Sequence, residues 1–269
     1  MPDNVRLLFV GDIIGRPGRQ ALRRFLPSLW QKYKPTVVIA NGENAAGGVG
    51  LTVKIAEELF AHVDVITSGN HIWDKKEIFP RLDKNQRLLR PANYPPGNPG
   101  QGGGIIEDRA GQRIGVLNLQ GRVFMEPIDC PFRKADEEIS LLKEKTKVII
   151  VDFHAEATSE KQALGWYLDG RVSAVLGTHT HVPTADARIL PQGTAFITDV
   201  GMVGAYDSII GVRREQALQR FIFGRPQRFE PAKGQLVLMA AFVEIDPATG
   251  RALAISQEII GEENGSTAK

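Results

Sequence analysis

Arg6-Leu7-Leu8-Phe9-Val10 runs directly into Gly11-Asp12-Ile13-Ile14-Gly15-Arg16-Pro17-Gly18. The apolar run has the length and character of a buried strand, the glycines and proline break it, and Asp12 is left where the strand ends. Leu22, Phe25, Leu26 and Leu29 then recur at helical spacing, so a helix is expected over 18–33, with Pro35 stopping it. A strand, a polar loop and a helix in that order form the unit from which parallel sheets are built.

Working outward, the same unit returns. Thr36-Val37-Val38-Ile39-Ala40 leads to Asn41-Gly42-Glu43-Asn44, after which Thr52 can cap a helix carrying Ile55, Leu59 and Phe60. Val63-Asp64-Val65-Ile66-Thr67 delivers Ser68-Gly69-Asn70-His71. Val148-Ile149-Ile150-Val151-Asp152-Phe153 ends in His154, and Ala174-Val175-Leu176 ends in Gly177-Thr178-His179-Thr180-His181. Helices are expected over 133–145 and 159–168, the second with Ser159 as its N-cap.

The remaining stretches are less regular. A polar helix is expected over 75–82, and residues 91–104, with four Pro and five Gly, read as a long surface loop. A strand over 112–119 follows the turn Asp108-Arg109-Ala110-Gly111, while 122–132 has no clear period. Beyond Asp186 the pattern turns antiparallel. Strands are expected over 187–190 and 194–200 about Pro191-Gln192-Gly193, and over 236–245 and 251–260 about Asp246-Pro247-Ala248-Thr249-Gly250, with a helix over 214–223 between the pairs. Parallel strands in front and antiparallel strands behind imply an α/β fold, a two-sheet αββα sandwich with flanking helices. No repeat or composition shift cuts the chain, so one domain is expected over 1–261, with a frayed tail over 262–269.

Composition excludes some classes. A chain of 269 residues with 42% hydrophobic content can bury a sizeable core. The 33 basic and 31 acidic residues, net +2, are mixed throughout, so charge declares no face for RNA or other nucleic acid, without excluding it. No apolar run is long enough for a membrane span and no signal-peptide pattern opens the chain, so a cytoplasmic protein is expected. The single cysteine, Cys130, has no partner for a disulfide or thiolate site and precedes Pro131; it reads as a semi-buried structural residue. Nothing in the sequence determines whether the chain forms a homo-oligomer.

Five histidines occur, and four of them, His71, His154, His179 and His181, directly follow a short apolar run. In open α/β sheets the carboxyl ends of parallel strands converge on one edge, where ligands bind. Asp12, Glu43, Asn70, His71, His154, His179 and His181 all stand at such ends. Each has a plainer explanation. The 179/181 pair could be hydrogen-bonded loop histidines, Asn70-His71 a strand-to-helix turn, and Asn44 a cap or a partner of Glu43. A random distribution would rarely place all of them after strands. Oxygen and imidazole donors without thiolate suit Mn, Fe, Co or Zn, and a carboxylate between two donor groups can bridge two ions. A two-metal centre, with ions roughly 3.5–4 Å apart, is the arrangement for phosphoester hydrolysis. A Ser-His-Asp hydrolase fits poorly without a G-x-S-x-G elbow. Gly47 to Gly50 lack P-loop spacing. A metal- or nucleotide-binding regulatory protein with incidental catalysis is the alternative from another class.

Gly11-Asp12, Gly69-Asn70-His71, His154 and Gly177-Thr178-His179-Thr180-His181 together resemble the dispersed motifs of the calcineurin-like metallophosphoesterases. Gly11 to Gly18, Asn41-Gly42-Glu43-Asn44-Ala45 and Thr198-Asp199-Val200-Gly201-Met202 resemble more closely the YmdB branch of that superfamily, over nearly the whole chain. The usual Asp-x-His is here Asp12-Ile13-Ile14 and the usual bridging Asp is Glu43; both changes are shared by that branch. The resemblance implies a sandwich of metallophosphoesterase type and a phosphodiesterase with two iron or manganese ions, zinc or cobalt being acceptable to the same donors. It also implies a small phosphodiester substrate, a cyclic nucleotide of the 2′,3′-cyclic AMP kind. By the same resemblance Asp12, Glu43, Asn44 and His181 would hold one ion and Glu43, Asn70, His154 and His179 the other, with His71 as general acid.

Overall fold

The computed structural model describes residues 4–262. In chain order it contains β1 (Val5–Val10), β2 (Asp12–Ile13), α1 (Gly15–Tyr33), β3 (Val37–Asn41), α2 (Val53–Phe60), β4 (Val65–Thr67), α3 (Phe79–Lys84), β5 (Gly103–Glu107), β6 (Arg113–Gln120), α4 (Pro131–Lys143), β7 (Val148–His154), α5 (Thr158–Leu168), β8 (Ala174–Thr178), β9 (Arg188–Ile189), β10 (Ala195–Ile197), β11 (Met202–Ala205), α6 (Arg214–Phe223), β12 (Leu236–Ile245) and β13 (Ala252–Gly261). Two short 3-10 segments, Asn70–Asp74 and Lys76–Ile78, precede α3.

The strands form two mixed sheets. The first has the order β2-β11-β12-β1-β3-β4, with β13 on β12, and the second β5-β6-β7-β8-β10-β9. Within them β1, β3 and β4 run parallel, as do β6, β7, β8 and β10. Alternation along each strand separates three packed layers. Leu8 and Val10 of β1 join Val38 and Ala40 under Leu22 and Leu29 of α1 and Leu59 of α2. Leu7 and Phe9 turn the other way, with Val37 and Ile39, to meet Ile114, Val116, Val148, Ile150 and Leu176 of the second sheet. The outer face of that sheet, Ile149, Val151 and Phe153, lies under Ala135 and Ile139 of α4 and Leu164 and Leu168 of α5. The αββα sandwich expected above is therefore the observed fold. Each buried aromatic or branched side chain at these faces contributes roughly 1.5–3 kcal/mol.

Some boundaries differ for local reasons. Helix α1 starts at Gly15 rather than Gly18, because Pro17 falls in the first turn, where its missing N–H has no intrahelical partner to lose. Pro27 also lies within α1, on its exposed face. The polar helix of 75–82 divides into the 3-10 turn and α3. Helix α5 begins at Thr158 with Ala157 at its N-cap, so Ser159 is inside the helix. Strands β2, β5 and β11 were not expected. Cys130 is part-buried and directly precedes α4. Of the proposed frayed tail, Glu262 donates its N–H to the Leu236 carbonyl and pairs with Arg24, while 263–269 lie outside the described residues. No helix among the described residues is long and apolar enough to cross a membrane.

Candidate metal centre

The carboxyl ends of β1, β3 and β4 in one sheet and of β7 and β8 in the other open on the same edge of the sandwich, and Glu43 is the hub there. Its Oε1 lies 3.0 Å from His154 Nε2 and accepts the Asn44 side-chain amide at 3.0 Å. Its Oε2 accepts the His71 backbone N–H at 3.1 Å. On one flank His179 Nδ1 stands 3.0 Å from His154 Nε2, and donor atoms of Glu43, His154 and His179 all lie within 4.8 Å of one another. On the other flank His181 Nε2 is 3.3 Å from Asn44 Nδ2 and 3.9 Å from Asp12 Oδ1. His181 gives its Nδ1–H to the Ile210 carbonyl at 2.8 Å, which turns Nε2 toward Asn44 and Asp12. Asp12 Oδ2 accepts the His179 N–H at 3.1 Å.

Oδ1 of Asp12 and Oδ1 of Asn70 are buried without a hydrogen-bond partner. Each such orphan costs about 1–3 kcal/mol. Gly69 lies so close that a Cβ would fall 2.1 Å from His154 Cδ2 and 2.4 Å from Glu43 Oε2. The cluster therefore offers oxygen and imidazole acceptors, two of them unsatisfied, in a cradle cleared of side-chain bulk. Such a donor set fits Mn, Fe, Co or Zn cations.

The electrostatics agree. Burial raises the Asp12 carboxyl above its ordinary range, against the pull of His181 and His154. Burial works the same way on Glu43, but the adjoining His154 overcomes it and holds that carboxyl at about 2. Burial works to neutralise His154, yet Glu43 beside it lifts the imidazole to about 9. Burial, with His154 close by, pushes His179 down to about 3. With protein groups alone His154 thus keeps its proton beside the buried Glu43 carboxylate. A cation binding there would displace it.

Three buried residues not singled out in the sequence orient His154. Its Nδ1 is 2.9 Å from Thr178 Oγ1; that hydroxyl donates to Asp152 Oδ1 at 2.8 Å, and Asn41 Nδ2 donates to Asp152 Oδ2 at 3.2 Å. The hydroxyl proton is thereby committed to Asp152, so Thr178 accepts from His154 Nδ1–H, and Nε2 faces Glu43 and His179. Burial raises the Asp152 carboxyl to about 7. Strand alternation carried a signal for Asp152, which shares the inward face of β7 with Val148, Ile150 and His154. Two further acids were missed. Asp74 Oδ2 is 2.7 Å from His71 Nδ1, and Glu156 Oε2 is 3.1 Å from His179 Nε2.

Above the cluster opens a cavity of about 490 Å³ whose walls include Glu43, Asn44, His71, His179 and His181 together with Val49, Ile210, Val212, Phe229 and Arg220. Asp12, Asn70 and His154 lie beneath that lining. Arg220 and Phe229, which stack at 5.2 Å, come from α6 and the segment after it and had no motif to announce them.

The chain is similar to known proteins over nearly its whole length. The model of the family described as YmdB-like protein matches residues 8–258. The chain is 52% identical over 261 residues to the 2′,3′-cyclic-nucleotide 2′-phosphodiesterase of Bacillus subtilis (strain 168), covering 97% of this chain and 98% of that one. The crystal structure of a phosphatase from Mycoplasma pneumoniae superposes with a TM-score of 0.90 at 38% identity, over 97% of this chain and 95% of the other. That of a Thermus thermophilus protein gives 0.89 at 46% identity, over 96% and 99%. The chain belongs to the YmdB-like protein family.

Proposed function

We propose that this protein is a dinuclear-metal phosphodiesterase that opens 2′,3′-cyclic nucleotides at the 2′ oxygen. Phosphoester hydrolysis is the level at which family membership speaks; the cyclic-nucleotide substrate rests on the likeness to the Bacillus subtilis 2′,3′-cyclic-nucleotide 2′-phosphodiesterase, and the dinuclear centre on the site. The observation that carries it is the position of Glu43 between two donor groups, His154 and His179 on one side and Asn44 and His181 on the other, with orphaned oxygens of Asp12 and Asn70 beside them. Asp12, Glu43, Asn44 and His181 would hold one ion, and Glu43, Asn70, His154 and His179 the other. Iron or manganese is the first expectation. When bound, such ions supply charge neutralisation at the phosphoryl oxygens and a water made nucleophilic near neutral pH.

The chain's own groups do the rest. His71 lines the cavity, part-exposed, with Nδ1 held by Asp74, so Nε2 is free to carry the proton to the leaving group. The water oxygen joins phosphorus and loses a proton to solvent, the bond from phosphorus to the 2′ oxygen breaks, and His71 protonates that alkoxide to leave a 3′-phosphomonoester, regaining its proton from solvent. Val49, Ile210, Val212 and Phe229 give the cavity an apolar wall suited to a nucleobase.

Incubation of 2′,3′-cyclic AMP with the Mn²⁺-loaded protein should give 3′-AMP, and His71→Ala should lower kcat by about 10²–10⁴ with metal content unchanged. Equal turnover by His71→Ala would remove it as the acid. Absence of turnover with Mn, Fe, Co and Zn alike would leave the binding-protein alternative. Metal analysis should find two ions per chain, lost together in Glu43→Ala; one ion or none in the wild type, or content unchanged in His179→Ala, would sink the dinuclear site.

A further inference from the structure

Lys161 is the most deeply buried lysine or arginine among the described residues, and the site does not account for it. It sits on α5 with 1% of its surface exposed, and a lysine is almost never fully buried unless paired. Its Nζ donates to Asp199 Oδ2 at 2.6 Å and to the Thr178 backbone carbonyl at 2.7 Å. Asp199, itself fully buried, accepts the Thr180 N–H on Oδ2 at 3.1 Å and the Gly201 N–H on Oδ1 at 2.8 Å, while its own N–H is tied to Thr184 Oγ1 at 2.9 Å. The pair therefore holds the carbonyl before His179 and the amide after it.

Both histidines of that loop need holding. His179 has φ +97° and His181 φ +64°, a region that residues with a Cβ rarely enter and keep only when their surroundings over-determine it. At its start, Gly177 approaches the neighbouring chain so closely that a Cβ would lie 1.7 Å from the Thr198 carbonyl oxygen. A contribution to stability alone does not explain an ion pair here, because apolar side chains of similar volume often do as well in a core. Methyl groups, however, cannot hold a carbonyl and an amide in fixed directions.

We propose that Lys161 and Asp199 are positioning residues for the metal site: their buried pair clamps the backbone on both sides of His179, keeps the His179/His181 loop in its left-handed turns, and thereby sets metal affinity. This rests on the dinuclear reading above, since the two histidines are assigned to different ions.

The test is Mn²⁺ titration calorimetry on the full chain, with thermal unfolding of the same samples, for wild type, Lys161→Met and the charge-free double variant Lys161→Met/Asp199→Asn. Lys161→Met should bind Mn²⁺ about 10–100-fold more weakly. The double variant removes the uncompensated carboxylate, so its Tm should rise above that of the single variant, while Mn²⁺ affinity stays at least tenfold below wild type because the Thr178 carbonyl still lacks its donor. Saturating Mn²⁺ should return kcat toward wild type. Mn²⁺ affinity within threefold of wild type in Lys161→Met overturns the proposal. So does a double variant in which affinity recovers along with Tm, which would mark the pair as charge compensation only. If Lys161→Met does not fold, the double variant decides alone. A wild type that takes up neither Mn²⁺ nor Fe²⁺ overturns the dinuclear reading itself.

Discussion

Replacing Gly69 by alanine should disable the site while leaving the fold standing. Gly69 has φ −149°, outside the left-handed region that favours glycine, so a left-handed turn is not the obstacle. Space is. The added Cβ would lie 2.1 Å from His154 Cδ2, 2.2 Å from His154 Nε2 and 2.4 Å from Glu43 Oε2. The ring and the carboxylate would each have to retreat by about 1 Å or more to reach ordinary van der Waals separation. Neither is free to do so. His154 is fully buried, pinned at Nδ1 by Thr178 at 2.9 Å and carried by a strand paired on both sides. Glu43 is held by the His71 N–H. A displacement of this size costs about 10²-fold in rate, equivalent to about 2.7 kcal/mol, whereas overpacking costs about 1–3 kcal/mol of stability. Steady-state hydrolysis of 2′,3′-cyclic AMP, Mn²⁺ titration and thermal unfolding would separate the two effects. Gly69→Ala should lose about 100-fold in kcat/KM and bind Mn²⁺ more weakly, with a cooperative transition retained. Gly115→Ala, whose Cβ would meet its nearest neighbours at an ordinary 3.4 Å, is the control and should keep full activity. Activity and Mn²⁺ affinity in Gly69→Ala within threefold of wild type would refute the assignment of His154 and Glu43 to the working centre.

Thr178→Val keeps the side-chain shape but removes the hydroxyl between His154 and Asp152, and should weaken Mn²⁺ binding by about 10–100-fold; unchanged calorimetry would show that the imidazole needs no orientation. Asp74→Ala frees the His71 ring at Nδ1 and should lower kcat about tenfold at unchanged metal content, the scale of one charge-assisted hydrogen bond; an unchanged kcat would show that the ring needs no holding. At Asp186, burial pushes the carboxyl up, but hydrogen bonds from Thr198 and Thr184 overcome it and hold its pKa below the usual range. The unfolded chain therefore takes up that proton first as pH falls, so the contribution is whole above the unfolded pKa and is lost as pH drops through the folded one. Asp186→Asn should have a lower Tm than wild type at neutral pH, with the gap closing in acid; a gap that widens toward acid would contradict this sign.

The candidate site's edge was legible because parallel strands buried on both faces read as unbroken apolar runs, and the polar residues just after each run stand out. Asp12, Glu43, His154 and the 179/181 pair became candidates in that way. The same rule hid what lies inside the runs. Thr178 reads as an ordinary strand position, and only the β7/β8 register, which sets His154 opposite Thr178, shows that the hydroxyl lies beside the imidazole. Lys161, in Ser159-Glu160-Lys161-Gln162, reads as a solvated helix charge until α5 docks. Strand β5 opens on Gly103-Gly104, which carries no side-chain pattern, and β2 is too short to show a period. Its two residues pair with Met202 and Val203 of β11 from nearly two hundred positions away. Arg220 and Phe229 reach the cavity through the path of the chain after α6, which no local signal determines.

Away from the metal-centre edge, local pattern and tertiary packing agree: apolar faces meet across three layers. At the edge they conflict. Two histidines sit in left-handed turns, two carboxylates are buried within reach of one proton, and Asp12 and Asn70 present oxygens with no partner. Such breaches persist where function holds them in place, and their sign is informative. The orphans are acceptors, so the missing partner is a donor or a cation, and the raised Asp12 and the proton kept on His154 mark the cluster as short of positive charge. An anionic phosphodiester brought against Asp12 and Glu43 alone would deepen that deficit in a buried setting where charges are weakly screened. A cation at the cluster would offset that deficit. Metal dependence and an anionic substrate are thus two sides of one electrostatic condition.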